Sequence, residues 1–537
     1  MNALVLEQPA ATGVERLLID CGATFPSDDL GVELIHPRFD ALLDAPDALA
    51  ALVLTHGHED HVGAVPFLLE ALAPRRHGPL RIVGPRYAIE LARERLNDGG
   101  IDEGHYLLEA VPVGVPTPVG GFLVEWVRVT HSIVDATALL VRTCAGTVVH
   151  SGDFKLEDEP LDGQPTDEAR LARAGDEGVA LLLSDSTNVF QEGKAGGELG
   201  VVNALEGLVA SANGRVVVGL FASNVHRLGA LEGIARRAGR HVCLLGRSVR
   251  KHSELGRKLG WLDWSSDRVV APEIAATLPR SRVLYLATGT QAEPRAALAR
   301  LAAGEHPDLQ LDAGDRVILS SRVIPGAERA VFDMQDRLLA RGVELVTRLT
   351  HPAIHVSGHA HRGEQRRLLE LVRPRSFIPV HGTLSHLRRH AELAAEVGVS
   401  DTLVIRNGER AELRQEGLAR GSSVVTGRVH RGGGEALERA VLDARRELAR
   451  GGLVVAMVAR GARGGAPSIE ALTRGLPQPE RADGLVAAAV KGVFTSGATR
   501  DDTRLVESLR RAIRHRLLAE LGQRPVVEVR LVGGALP

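Results

Sequence analysis

The sequence predicts an α/β protein: two sheets sandwiched by helices, a separate parallel-sheet unit in mid-chain, and a small α/β module at the C-terminal end. Three observations predict it. Short apolar runs separated by turn residues dominate as far as Leu183. From about Val201 strands and helices alternate, the βαβ rhythm of a parallel sheet. The tail then combines a strand, an amphipathic helix and a closing strand.

Taken in order, Leu17-Leu18-Ile19 is a short strand ending on Asp20, Cys21 and Gly22. Strands follow at 51–54, 80–83, 122–129, 138–142, 147–150 and 180–183, with helices at Val65–Leu72 and 86–96. The alternating unit reads as strands 215–220, His241–Leu245, 283–286, Arg316–Leu319 and 344–348 and helices 224–237, 292–302 and 327–340. Strands resume at Ser376–Val380 and 402–406, closed by the turn Asn407-Gly408. Residues 417–434 are rich in Gly, Arg and Ser and read as a linker. In the tail, Leu453–Ala459 and Val526–Val532 are strands. Leu505, Leu509, Ile513, Leu517 and Leu521 form one apolar stripe that serves as core or as an assembly face.

The 537-residue chain has room for roughly two to four domains. A net charge of −2 gives no sign of a nucleic-acid binder by itself, although a local basic groove is compatible with it. Aromatics make up 3%, which limits base-stacking platforms and favours backbone and metal recognition. Cys21, Cys144 and Cys243 lie far apart and suit a reduced, cytoplasmic protein. With no N-terminal signal pattern and no apolar run near eighteen residues, a soluble, unexported chain is expected.

Chemistry concentrates in Leu52-Val53-Leu54-Thr55-His56-Gly57-His58-Glu59-Asp60-His61-Val62-Gly63-Ala64. A β-branched run leads in and a helix follows, so three His and Asp60 crowd onto one strand-to-helix loop. Imidazole and carboxylate are the N and O donors zinc prefers. His56 and His58 point the same way from an extended segment, while Asp60 and His61 turn toward an adjacent point, so one loop can serve two metals. Chance histidines in a polar loop are the bland alternative, and the strand–loop–helix context argues against it. Thr130-His131-Ser132 and His150-Ser151-Gly152-Asp153-Phe154-Lys155 each put a further ligand type where a strand runs out. Taken singly, His131 reads as structural and Asp153 as a turn residue.

Together, the order Asp20, His56/His58/Asp60/His61, His131, Asp153 resembles the metallo-β-lactamase superfamily motif by motif. The resemblance implies an αββα sandwich with a binuclear site on its open edge. His56, His58 and His131 would hold one zinc, Asp60 and His61 the other; Asp153 would bridge and Asp20 would orient a ligand from the second shell. Ile378-Pro379-Val380-His381-Gly382 supplies the remaining ligand, His381, after a gap that contains the mid-chain unit. That insertion resembles the β-CASP family, whose members cut nucleic acids. Ser184-Asp185-Ser186-Thr187-Asn188 looks like its motif A, Ser357-Gly358-His359-Ala360 like motif B and His381 like motif C. Asp20-Cys21-Gly22-Ala23-Thr24-Phe25-Pro26, Phe221-Ala222-Ser223-Asn224-Val225-His226-Arg227, Ser320-Ser321-Arg322-Val323-Ile324-Pro325-Gly326 and His355-Val356-Ser357-Gly358-His359 narrow the likeness to the ribonuclease J family, from about residue 17 through the tail.

The likeness implies a metallo-β-lactamase core at 1–203 and 350–416, a β-CASP insert at 204–349, a linker at 417–440 and a C-terminal α/β module at 441–537. It also implies a cytoplasmic 5′-to-3′ exoribonuclease with endonuclease activity in RNA processing and decay. Two Zn²⁺ per chain are expected, with Mn²⁺ or Mg²⁺ as possible substitutes, supplying a nucleophile at neutral pH and taking up phosphoryl charge. The substrate would be single-stranded RNA with a 5′-monophosphate end, the assembly a homodimer or homotetramer, with no membrane. Asp185, His359 and Asp60 are the expected catalytic residues, His359 giving a proton to the leaving oxygen under Asp185's guidance. Ser223, Asn224 and Val225, and His355, Val356, Ser357, Gly358 and His359, would hold the strand through hydroxyls and backbone N–H groups. Asn224 reads equally as a helix N-cap, and Ser320 and Ser321 as a phosphate contact or a strand-end turn.

Three positions depart from the family pattern: Thr383 stands for Glu, Ala327 for Asn and Ala292 for Gly. The pattern also begins with another strand before the equivalent of Asn2-Ala3-Leu4-Val5, so either the start is assigned late or the first sheet lacks an edge strand. Alternatives are a β-CASP nuclease acting on DNA, a hydrolase of lactones or thioesters, and a weakly active RNA-binding scaffold.

Overall fold

A computed structural model describes residues 1–11, 13–26, 30–264, 268–324, 326–461, 465–497 and 501–533. The chain divides into a larger unit, residues 1–27 and 35–428, and a smaller one, residues 28–34 and 429–537.

In the larger unit two sheets face each other. One runs in the order Leu4–Ala10, Gly13–Ile19, Leu49–Val53, Leu80–Gly84, Tyr106–Ala110. The other runs Asp401–Thr402, Ser376–Val380, Val179–Asp185, Gly146–His150, Thr137–Thr143, Phe122–Arg128, Thr117–Val119. Leu17, Ile19 and Val53 of the first meet Val124, Trp126 and Leu139 of the second in one core. Trp126 also donates its indole N–H to the Leu54 carbonyl, 2.9 Å, so a large apolar side chain is buried without an orphaned donor. Helix Arg86–Asp98 packs on the first sheet, and helices Arg362–Val372 and Leu384–Glu396 on the second. The result is the expected αββα sandwich. Leu4–Ala10 is an edge strand of the first sheet, paired antiparallel with Gly13–Ile19.

The mid-chain segment builds a five-stranded, all-parallel sheet in the order His241–Leu245, Val283–Ala287, Val216–Gly219, Arg316–Leu319, Glu344–Val346. Val216 and Val218 enter one core and Val217 another. A strand covered on both faces reads as a continuous apolar run, as this one does.

Several boundaries move. The expected break at 203/204 falls inside helix Glu198–Ala210, which buries Val201, Val202, Leu205 and Val209 on one continuous face. The helix expected from 292 begins at Ala297, because Ala292 sits at φ 60° and Pro294 disfavours helix in the residue before it. The strand expected over 402–406 shrinks to Asp401–Thr402. The expected linker at 417–440 carries strands. Gly417–Ser423 pairs antiparallel with Glu409–Arg414, and Leu413 and Leu418 pack on the sandwich core, outweighing a loop-like composition. Arg428–Gly432 then pairs with Glu435–Leu437.

In the smaller unit Leu453–Ala459 lies between Ser468–Arg474, antiparallel, and Val526–Val532, parallel. Leu505, Leu509, Ile513 and Leu517 are fully buried against that sheet's apolar residues and helix Pro479–Thr495, so the stripe is this unit's core. Among the described residues no helix is long and apolar enough to cross a membrane.

Candidate metal centre

The donors come from loops at the ends of sandwich strands. Strand Leu49–Val53 delivers Thr55 and His56 into a buried turn, and the short helix Glu59–Val62 carries Asp60 and His61. Gly22 lets a neighbouring loop lie against this turn, since a Cβ there would fall 1.7 Å from the Asp60 carbonyl oxygen. His131, Asp153 and His381 follow strands Phe122–Arg128, Gly146–His150 and Ser376–Val380.

These side chains converge in two groups, His56/His58/His131 and Asp60/His61/Asp153/His381, the donor atoms of each within 4.8 Å of one another. Asp153 Oδ2 is common ground. It lies 3.2 Å from His61 Nε2 and from His381 Nε2, and 3.9 Å from His56 Nε2 and His131 Nε2. Asp60 Oδ2 faces His381 Nε2 at 3.3 Å and His61 Nε2 at 3.7 Å.

Outer contacts decide which nitrogen of each ring faces inward. Asp20 Oδ2 accepts His61 Nδ1–H at 2.7 Å, while Thr55 donates its N–H and hydroxyl to the same carboxylate, each at 2.8 Å. With its own proton committed to Asp20, the Thr55 oxygen accepts from His56 Nδ1, 3.0 Å. The Gly358 carbonyl accepts His131 Nδ1–H at 2.6 Å, and His58 Nε2 lies 3.2 Å from Ser223 Oγ. The inward atoms are therefore Nε2 of His56, His61 and His131, and Nδ1 of His58. Asp20 and His381 hold left-handed backbone, φ 59° and 52°, strain of the kind that collects where geometry is over-determined.

The donor set fits cations. Among the described residues, His56 Nε2 is buried without a hydrogen-bond partner. His58 Nδ1 and His131 Nε2 lie 3.1 Å apart, two nitrogens turned toward the same space. Burial holds the His58 imidazole down at about 4 and those of His56 and His131 well below their usual range, so all three imidazoles are neutral. Burial opposes charge on Asp60 and Asp153 as well, but the surrounding imidazoles keep both carboxyls well below the usual carboxylate range. His61 is the counterpart: burial lowers it, yet Asp153, Asp60 and Asp20 together raise it to about 10. Cation binding displaces protons from ligands of this kind.

Beside the centre, His359 Nδ1 donates to Asp185 Oδ2 at 2.8 Å, and Asp185 Oδ1 accepts from Thr187 N–H, 2.9 Å, and hydroxyl, 2.6 Å. Burial disfavours the His359 imidazolium, but Asp185 and Asp153 prevail and raise its pKa.

The expected strand-holding residues sit close by. Ser223 reaches His58. Asn224 caps helix Val225–Arg237, accepting Arg227 N–H at 3.0 Å, and Val225 is buried. Ser357 Oγ accepts from Asn188 Nδ2, 2.8 Å, and from His359 N–H, 3.1 Å. Val356 is buried, and Gly358 admits no side chain, because a Cβ would meet Ser132 Oγ at 2.4 Å and His131 Cε1 at 2.9 Å. Ser320 is used structurally: fully buried, its hydroxyl donates to the Ile354 carbonyl, 2.6 Å.

Sequence reading missed what fixes these loops. Arg227, buried, grips Glu198 through Nε–Oε2 at 2.9 Å and Nη2–Oε1 at 2.6 Å, and donates through Nη1 to the Ser320 carbonyl, 3.0 Å, and to His355 Nδ1, 3.4 Å. Asn224 Nδ2 adds a bond to Glu198, and Glu157, itself paired with buried Lys155 at 2.7 Å, accepts the Glu198 N–H. Burial pushes the Glu198 carboxyl up, but Arg227 beside it prevails and brings it down to about 2. Arg227 closes the Phe221–Arg227 segment that carries part of the family likeness, the one local signal; Glu198 carries none.

Comparisons agree across the chain. The family description "Ribonuclease J, beta-CASP domain" matches residues 213–338, "Zn-dependent metallo-hydrolase RNA specificity domain" residues 342–404, and "Beta-lactamase superfamily domain" residues 15–173. The Ribonuclease J of Mycolicibacterium smegmatis is 38% identical over 507 residues, covering 93% of this chain and 89% of its own. That of Mycobacterium tuberculosis is 42% identical over 400 residues, 74% and 70% of the two chains. That of Thermus thermophilus is 37% identical over 468 residues, 86% and 80%. A crystal structure of a protein of unknown function from Enterococcus faecalis V583 shares the fold at TM-score 0.52 and 15% identity, over 75% of this chain and 94% of that one. With three family descriptions laid end to end over the sandwich and its insert, and relatives matched along most of their length, the chain belongs to the ribonuclease J family of metal-dependent nucleases.

Proposed function

We propose that this protein is a two-zinc ribonuclease that degrades single-stranded RNA from a 5′-monophosphate end and also cleaves internally, with Mn²⁺ or Mg²⁺ as possible substitutes. The observation that carries the reading is the convergence of five imidazole nitrogens on Asp153 Oδ2, within 3.9 Å, one of them from His359, which is itself paired with Asp185. His56, His58 and His131 would hold one ion, Asp60, His61 and His381 the other, with Asp153 shared and Asp20 positioning His61. Bound there, the ions supply a nucleophile at neutral pH and neutralise the phosphoryl oxygens.

The chain's own groups do the rest. A His359 imidazolium with Nδ1–H on Asp185 keeps its second proton at Nε2, available to the leaving 3′-oxygen. Asp60 Oδ2, on the partly exposed side of the centre, helps fix the ions' placement. Ser223 and the 355–359 loop offer hydroxyl and N–H donors to the strand's phosphates. We further infer a cytoplasmic homodimer or homotetramer, and retain the domain order given above with the insert beginning before Glu198–Ala210 ends.

Incubation with zinc or manganese and a 3′-labelled RNA, bearing a 5′-monophosphate or a 5′-triphosphate, tests this. The expected result is release of mononucleotides favouring the monophosphate, lost in a His58→Ala, His61→Ala double variant. Wild-type protein that binds two metals per chain yet cleaves neither RNA would overturn it.

A further inference from the structure

The roles assigned so far use no phenylalanine, tyrosine or tryptophan, yet one phenylalanine stands on the loop that follows motif A. Phe190, two residues past motif A, is 54% exposed. Its backbone is firmly held: Val189 N–H donates to the Ser186 carbonyl at 3.2 Å, Gln191 N–H to that of Asn188 at 2.8 Å, and Arg362 N–H to that of Gln191 at 2.8 Å. The exposure therefore belongs to a fixed loop.

The Phe190 ring meets His386 at a centroid distance of 5.2 Å and an interplanar angle of 65°. His386 is fixed in turn. Thr383, the residue that replaces the family's Glu, donates to His386 Nδ1 from its N–H, 3.3 Å, and its hydroxyl, 2.5 Å. A Cβ at Gly382, the residue after His381, would meet His386 Cβ at 2.9 Å and Ser186 Cβ at 3.5 Å. One ring thus hangs from motif A and the other from motif C, next to a metal donor.

We propose that Phe190, backed by His386, is a stacking ledge for a nucleobase of the strand lying across the metal centre. The proposal rests on the ribonuclease reading and adds a contact to it. Sites for single strands combine groups that follow the backbone with aromatic faces for the bases, and stacking tolerates any base because each has a π-face. In a chain with 3% aromatics, a rigid and exposed phenylalanine at this place serves the strand better than it serves the core. The ledge contributes grip without sequence preference.

The test uses the zinc-loaded full chain, a 3′-labelled 5′-monophosphorylated RNA, and the same RNA with an abasic ribose placed at each of its first nucleotides in turn. Wild type is expected to lose about tenfold in kcat/KM at one abasic position. Phe190→Ala should lose about as much on intact RNA, chiefly through KM, and no longer respond to the abasic position, while Phe190→Trp restores both behaviours. Phe332→Ala, which removes a 49% exposed phenylalanine from helix Glu328–Ala340, should follow wild type. Unchanged discrimination in Phe190→Ala, or a wild type indifferent to abasic substitution everywhere, overturns the ledge and leaves RNA cleavage standing. A wild type that hydrolyses bis(p-nitrophenyl) phosphate but no RNA overturns the ribonuclease reading and the ledge with it.

Discussion

The proposed metal donors and the loops proposed to hold the strand lie side by side but are secured differently. Around the proposed metal centre, individual rings are set by separate short contacts: Asp20 for His61, Thr55 for His56, the Gly358 carbonyl for His131. The strand-holding loops depend on one buried ion pair, Arg227–Glu198, whose bonds reach the helix cap at Asn224, the strand end at Ser320 and the loop at His355. Removing one partner should therefore have a local effect at the metals and a collective one at the loops.

The proton-donor pair should show the largest loss. Asp185→Asn removes the negative charge that supports the His359 imidazolium, and kcat on RNA should fall by about 10²–10⁴. Metal content and thermal midpoint should stay near wild type; a parallel loss of metal would assign Asp185 to the centre instead.

Arg227→Met tests the collective side. Leaving Glu198 buried and unpaired should cost about 3–5 kcal/mol of stability in denaturant titration, and an effect below about 1 kcal/mol would mean the loops are held by something else. The sign with pH follows from Glu198. Its carboxyl is depressed in the fold, so its contribution is fully present above the unfolded value of about 4.3. That contribution is lost as pH falls through about 2. Wild type should lose stability across that acid window, and the variant should lack this part of the loss.

Asp20→Asn should weaken metal binding by about 10- to 100-fold, measured by competition with a chelator. Melting should change less than in Arg227→Met, if the contrast between local and collective support holds. The smallest effects concern family departures outside both regions. Ala327 begins helix Glu328–Ala340 with no side-chain cap, so Ala327→Asn should add about 0.5–2 kcal/mol. Ala292 holds φ 60°, where a side chain is strained, so Ala292→Gly should add about 1 kcal/mol. A thermal midpoint that falls in either variant would show that the alanine has a packing role.

The proposed metal donors were legible as candidates because ligand chemistry demands particular residue types and strand-to-helix loops keep them close in sequence; His56 through His61 are a single turn. His381 was legible through motif resemblance and the strand leading to it. The Arg227–Glu198–Glu157 network was not, because its members lie on three separate elements and a buried charge looks like a surface charge until its partner is known. The linker expected at 417–440 failed for a related reason: backbone ladders need no particular side chains, and Leu413 and Leu418 supply what burial they require.

By itself, then, the sequence determined which residues are candidate donors, the sandwich with its parallel-sheet insert, and the apolar stripe Leu505–Leu517, since each rests on residue type at short, regular spacing. Only the tertiary structure decided which nitrogen of each histidine faces inward, which serines are consumed by the scaffold, and that Phe190 stands exposed against His386. Those depend on contacts between residues far apart in the chain, set by packing rather than by any local pattern.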